Sequence, residues 1–324
     1  MPPAFVYGPR PDASDDSFVS QLPELRVSDV QSARPRKRLL PLALFLATCL
    51  STFWVGSTQW LPIRYMDNWS AVGSVLVRNW GIGLTYTTAL LAILLTHEMG
   101  HFLYTVRYKI PASFPIFIPV PFNAIGTMGA VIGMDGLRAN RSQLFDLGLA
   151  GPLAGLSVAV PIMWIGIGQL DLEKVVASGG IAFHNPLLAQ WMLAMRHPGV
   201  PADTPISIFQ LNPFFMAGWV GLLITGLNML PISQLDGGHV IYALFRKGAH
   251  SLARAFLILA IVFVVVYIHQ AYIWTLMLVL VILMGTDHPP TSNDNVRLGP
   301  VRWILGIASL SIPVLCFPVW GIVQ

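Results

Sequence analysis

The sequence predicts an all-α polytopic membrane protein of about six to seven transmembrane helices, with a re-entrant loop or β-hairpin between the second and third. Three observations carry this. Hydrophobic residues make up 55% of the 324 and charged residues 10%, with a mean hydropathy of +0.66, far from the balance of a soluble domain. Apolar runs of about 20 residues, enough to cross the hydrocarbon core, recur along the chain. Between two of them, Pro111 to Gly136 is dense in proline yet apolar, as in Phe114-Pro115-Ile116-Phe117-Ile118-Pro119-Val120-Pro121-Phe122. Proline at that density excludes a continuous helix, and non-helical backbone at membrane depth needs protein or a wet cavity to satisfy it. Such an edge could take an extended chain by strand addition.

Residues 1–38 are polar, rich in Pro, Ser and Asp, and end in Arg34-Pro35-Arg36-Lys37-Arg38, which reads as a disordered cytoplasmic tail closed by a positive stop. The first apolar run starts too far from Met1 for an ordinary cleaved signal peptide, so that span is expected to stay attached. Spans are expected at about 39–57, 81–106, 147–169, 210–230, 252–268, 271–286 and 302–322. With the tail inside, Arg107, Lys109, Arg138, Arg141, Arg246, Lys247, Arg254, Arg297 and Arg302 all fall inside. Membrane topology therefore explains the formal charge of +4 better than nucleic-acid binding does. Cys49 and Cys316 lie in apolar segments without CxxC pairing, which points to packing.

The second span ends in His97-Glu98-Met99-Gly100-His101. Ionisable groups are costly in hydrocarbon, so three within five residues call for a reason. On a helix the two histidines share a face, the geometry for two imidazoles to hold one zinc ion. Glu98 points about 100° around the axis from His97, placed as a general base rather than a ligand. A catalytic zinc needs a third protein ligand. Glu24 and Glu173 are poorly placed, whereas Asp236 follows Asn228-Met229-Leu230-Pro231-Ile232-Ser233-Gln234-Leu235 and precedes Gly237-Gly238-His239. Pro231 stops the fourth span and the Gly pair lets the backbone bend, so Asp236 can turn back toward the histidines, with His239 as the competing donor.

HEMGH followed by Asn-x-x-Pro-x-x-x-x-Asp-Gly resembles the site-2 protease family of intramembrane zinc metalloproteases. Phe145-Asp146-Leu147-Gly148-Leu149-Ala150-Gly151-Pro152-Leu153-Ala154-Gly155 is similar to that family's third-helix signature, and the Gly126 to Gly129 turn also fits. The resemblance covers most of Leu84 to His239. With the Phe-Pro-Ile-Phe-Ile-Pro stretch and His288-Pro289-Pro290, the chain looks most like the EGY-type branch, without the PDZ or CBS domains of other branches. It implies one zinc per chain held by His97, His101 and Asp236, Glu98 as base, and Asn228, Gly126 and Gly129 near the substrate. By the same resemblance, 39–324 is an integral membrane protease domain, with a catalytic core over about 81–240 and C-terminal helices over about 252–324. The partners implied are the bilayer and single-span membrane proteins, cut within their transmembrane segments near the cytoplasmic face.

Two other readings compete. A proteolytically inactive chaperone or scaffold has no chemical need for all four site residues. A zinc transporter would spread polar groups along a path, whereas these cluster at one depth. Gly151, Pro152 and Gly155 read as helix packing, since small residues at four-residue spacing let membrane helices approach closely.

Overall fold

The computed structural model describes residues 39–133, 138–174, 181–232 and 234–323. The tail expected over 1–38 lies outside the described residues. Helix α1 is Leu39–Ser57 and α2 is Trp69–Tyr108, followed by a hairpin of β1 (Ile116–Val120) and β2 (Gly126–Val131). Helix α3 is Arg141–Gly168. Next come β3 (Ala182–Phe183), α4 (Leu187–Arg196), β4 (Ile206–Ser207), α5 (Pro213–Asn228) and α6 (Asp236–Phe245). The C-terminal part holds α7 (Lys247–Val266), α8 (Ile268–Ala271), α9 (Thr275–Met284), α10 (Gly299–Ser309), α11 (Ile312–Cys316) and β5 (Ile322–Val323). Among the described residues, five stretches are long and apolar enough to cross a membrane: Leu39–Ser57, Ser70–Tyr108, Arg141–Gly168, Lys247–Val266 and Gly299–Cys316. Pro213–Asn228 and Ile268–Met284 are apolar but shorter. The protein is an all-α polytopic bundle with two small sheets.

The ends of the helices are written locally. Asn68 caps α2 by accepting from the Ala71 N–H, and Lys109 closes it in the left-handed region at φ 56°. Asn140 and Gln143 form a reciprocal capping box on α3. Asn212 caps α5, with Pro213 in its first turn. At φ 55°, Arg246 separates α6 from α7.

Several expected boundaries differ. The second span, expected over 81–106, is a helix of 40 residues. That is about 60 Å, twice the hydrocarbon thickness, because polar residues such as Asn79 do not interrupt a helix that projects past the bilayer. The sixth span, expected over 271–286, opens with the 3₁₀ turn Tyr272–Trp274 and is helical over α9. The seventh breaks between α10 and α11, and its last residues instead pair as β5 with β3. Helix α6 was not expected. The segment from about 170 to 209, between the third and fourth expected spans, contains α4 and contributes β3 and β4 to a sheet of order β4-β3-β5.

Helix α3 is the centre of the bundle, packed on α2, α5 and α6. Glycine makes the closest approaches possible: a Cβ on Gly100 would lie 2.5 Å from the Ala150 carbonyl oxygen, and one on Gly218 would lie 2.7 Å from the Met163 Cα.

The proline-rich stretch forms the β1–β2 hairpin, antiparallel and irregular between Phe117 and Pro119. Its tip is held against α1 and α2, where side-chain hydroxyls satisfy the turn carbonyls. Ser51 Oγ donates to the Gly126 carbonyl at 2.6 Å, and the fully buried Tyr86 hydroxyl donates to that of Ile125 at 2.7 Å. Asn123 Oδ1 accepts from the Ile125 and Gly126 N–H groups. These bonds meet the condition under which irregular backbone can sit against a membrane bundle.

Candidate active site

His97, Glu98 and His101 are 3%, 5% and 4% exposed, on the stretch of α2 that faces α3 and α5. Their helix continues through them without a break, so the imidazoles project one turn apart as their spacing requires. Asp236 reaches them from a different part of the chain. Helix α5 ends at Asn228, and the following turn is tied by the Ile232 N–H to the Leu230 carbonyl at 2.8 Å and the Leu235 N–H to the Ile232 carbonyl at 3.1 Å. Gly237 lies so close to the Met229 and Leu230 carbonyls that no side chain fits there. The turn can therefore fold flat onto the end of α5 and start α6 with Asp236 pointing back to α2. The carboxylate sits in the first turn of α6, where the helix dipole favours negative charge.

Three donor atoms form a nearly equilateral triangle. The two Nε2 atoms are 3.2 Å apart, and Asp236 Oδ2 lies 3.3 Å from that of His97 and 3.4 Å from that of His101. Tetrahedral zinc with ligand bonds of about 2.0–2.1 Å places its ligand atoms about 3.3–3.4 Å apart. The residues present fit that ion. Asp236 Oδ2 is buried without a hydrogen-bond partner, a cost that a cation removes. Among the described residues this is the one group of His, Cys, Asp or Glu disposed to hold a metal.

The surroundings fix these side chains. His101 Nδ1 lies 2.9 Å from the Leu147 carbonyl of α3, to which it donates, leaving Nε2 with its lone pair toward the triangle. Helix α3 presents glycine to both rings: Gly151 abuts the His101 imidazole, and a Cβ on Gly155 would lie 3.1 Å from His97 Nδ1. A Cβ on Gly148 would lie 2.8 Å from the Asp236 carbonyl oxygen. Gly151 and Gly155 are packing positions, and what these three glycines pack against is His97, His101 and the chain at Asp236. The Leu147 contact was not read from the sequence; a main-chain acceptor leaves no residue-type signal.

The other expected site residues divide. Asn228 Nδ2 lies 3.3 Å from His97 Nε2, beside the triangle. Gly126 packs on Thr52 of α1, Gly129 has open space over its Cα, and both make their contacts with the hairpin and α1 rather than with the triad. His239, the competing third ligand, is paired through Nδ1 with His288 Nε2 at 2.7 Å. His288 also stacks on Tyr242 with ring centroids 4.3 Å apart, and Tyr242 donates to Asp294 at 3.0 Å. The segment between α9 and α10 thereby straps α6 in place, a feature the sequence did not disclose.

A membrane bundle whose buried centre holds two helix-borne imidazoles, an adjacent glutamate and a converging aspartate has a donor set suited to one zinc ion, with a carboxylate beside it. Residues 85–269 match peptidase family M50, and the chain belongs to that family. It is 32% identical over 236 residues to "Probable zinc metalloprotease EGY1, chloroplastic" of Arabidopsis thaliana, covering 71% of this chain and 42% of that one. It is 33% identical over 199 residues to "Probable zinc metalloprotease EGY2, chloroplastic" of the same plant, covering 60% and 34%. Against "Probable zinc metalloprotease EGY3, chloroplastic" of Oryza sativa subsp. japonica it is 30% identical over 179 residues, covering 49% and 29%. The chain spans less than half the length of these curated relatives. The resemblance to EGY-type site-2 proteases stands.

Proposed function

We propose that this protein hydrolyses peptide bonds within transmembrane segments of single-span membrane proteins, with His97, His101 and Asp236 as zinc ligands and Glu98 as general base. The observation that carries the reading is the triangle of Nε2, Nε2 and Oδ2 atoms, buried in the bundle beside an equally buried glutamate. Zinc held there supplies a Lewis acid that acidifies water and polarises a carbonyl. Glu98, one residue from the first ligand, takes the proton from the attacking water and delivers it to the departing amine nitrogen. Asn228 would hydrogen-bond the substrate backbone or the developing oxyanion, a role supported by its amide lying 3.3 Å from His97 Nε2. The buried walls exclude bulk water, and an unwound stretch of substrate is required because a helical peptide bond is shielded by its own hydrogen bonds.

The same end of the bundle carries the basic residues. Arg107 and Lys109 close α2, Arg141 starts α3 and donates to the Ala243 and Leu244 carbonyls at the end of α6, and Arg302 of α10 pairs with Asp146 of α3. By the positive-inside rule that end, and the N-terminus with it, faces the cytoplasmic side, so cleavage would release a fragment there.

The test is quantitative membrane proteomics of the native host carrying wild type or Glu98→Gln. Accumulation of one or a few single-span proteins, or of their membrane stubs, only in the variant supports the reading and names substrates. Unchanged membranes under several stresses, with zinc-loaded wild-type protein present, would leave the scaffold reading in its place.

A further inference from the structure

A groove of about 830 Å³ opens between α2, α3 and α10, and no step of the proposed hydrolysis uses it. Leu103, Leu153, Val301 and Leu305 line it, and they are 61%, 48%, 66% and 46% exposed. On membrane helices, apolar side chains exposed to that extent face hydrocarbon, so the groove opens sideways toward lipid. At one end it meets Arg107, Arg302 and Tyr104. Arg302 commits Nε and Nη2 to the two Asp146 oxygens, each at 2.8 Å, which makes that pair neutral. Arg107 is exposed and makes no ion pair among the described residues, so the groove keeps a positive charge at one end of an apolar trough.

An occupant complementary to that pattern is an amphiphile with an anionic head. A soluble anion would leave the leucine walls bare, and a zwitterionic lipid would bring a cationic group of its own beside Arg107 along with its phosphate. Arg107 lies six residues beyond His101, about 9 Å further along α2, at the basic end of the bundle where headgroups lie. We propose that this groove holds one membrane phospholipid with an anionic headgroup, its phosphate at Arg107 and an acyl chain along Leu103, Leu153 and Leu305.

The groove also borders the site. Leu149, Ala150 and Leu153 of α3 line it, while Gly148, Gly151 and Gly155 of the same helix abut α6 and the imidazoles. A lipid there braces α3 from the side away from the metal ligands.

The test is native mass spectrometry of the full chain released from nanodiscs, titrated with phosphatidylglycerol or phosphatidylcholine of identical acyl chains, with inorganic phosphate as competitor. Wild type should retain one phosphatidylglycerol per chain in clear preference to phosphatidylcholine. Arg107→Gln should reduce that preference about fivefold. Leu153→Trp, which fills the apolar wall, should weaken retention of both lipids. Unchanged zinc stoichiometry in both variants verifies that each is folded. Equal retention of the two lipids by wild type, an Arg107→Gln preference equal to wild type, full displacement by inorganic phosphate, or a peptide retained in place of lipid would each overturn the proposal.

Discussion

Replacing Gly151 by alanine should weaken zinc binding, whereas the same change at Gly155 should be tolerated. A Cβ on Gly151 would lie 2.5 Å from both Cδ2 and Cε1 of His101 and closer still to Nε2. Ordinary contact begins near 3.4 Å, so the ring would have to retreat by about 1 Å, against a tolerance of about 0.2 Å in metal–ligand distance. The ring cannot swing freely, because His101 Nδ1 is tied to the Leu147 carbonyl on the same helix. At Gly155 the new atom would lie 3.1 Å from His97 Nδ1, and a shift of about 0.3 Å at that atom, which is not the Nε2 that faces the triangle, relieves it. Overpacking of this kind costs about 1–3 kcal/mol, equivalent to between about fivefold and a hundredfold in zinc affinity if it falls on the loaded state. The assay is zinc per chain after dialysis against a graded chelator, with cleavage of a transmembrane reporter alongside. Gly151→Ala holding zinc as tightly as wild type, or Gly155→Ala failing equally, would refute the argument that α3 sets the ligand positions.

Three further outcomes follow from particular contacts. Asp236→Ala should release the zinc while His239→Ala keeps one per chain, because His239 is engaged with His288; zinc analysis of the two purified variants checks this. Tyr86→Phe leaves the Ile125 carbonyl at the hairpin tip without its donor and should destabilise the protein by about 1–3 kcal/mol, read as a lower melting temperature and faster proteolysis between β1 and β2. Burial pushes the Asp294 carboxyl up, but hydrogen bonds from Thr291 and Tyr242 outweigh it and hold the group below its ordinary value. A depressed carboxyl contributes stability above its unfolded pKa, about 3.9, and loses it as pH falls through the folded value. Hydrogen exchange of the segment between α9 and α10 should therefore quicken below about pH 4 in wild type, and Asp294→Asn should remove that step.

The strap over α6 illustrates why part of the molecule stayed out of reach of the sequence. His288 lies 49 residues beyond His239, in a segment whose His-Pro-Pro run carried the family resemblance but no sign of a contact with α6. Its pairing with His239 and Tyr242 depends on how α9 and α10 return to the bundle. The turn that opens the sixth span and the break in the seventh were illegible for a related reason: hydropathy registers apolar length, and a 3₁₀ turn of Tyr, Ile and Trp is as apolar as the helix it joins.

By itself, the sequence determined the apolar solvent and the pairing of His97 with His101 around Glu98, because composition and helical spacing are local properties. It also singled out Asp236, since Pro231 and the Gly pair forecast a chain reversal at the depth of the histidines. Only the tertiary structure decided that the Asp236 carboxylate comes within 3.4 Å of both imidazoles, that Leu147 orients His101, and that the glycines of α3 make room for the ligand rings. Those relations join residues far apart in the chain, and they exist only when α2, α3, α5 and the start of α6 pack together.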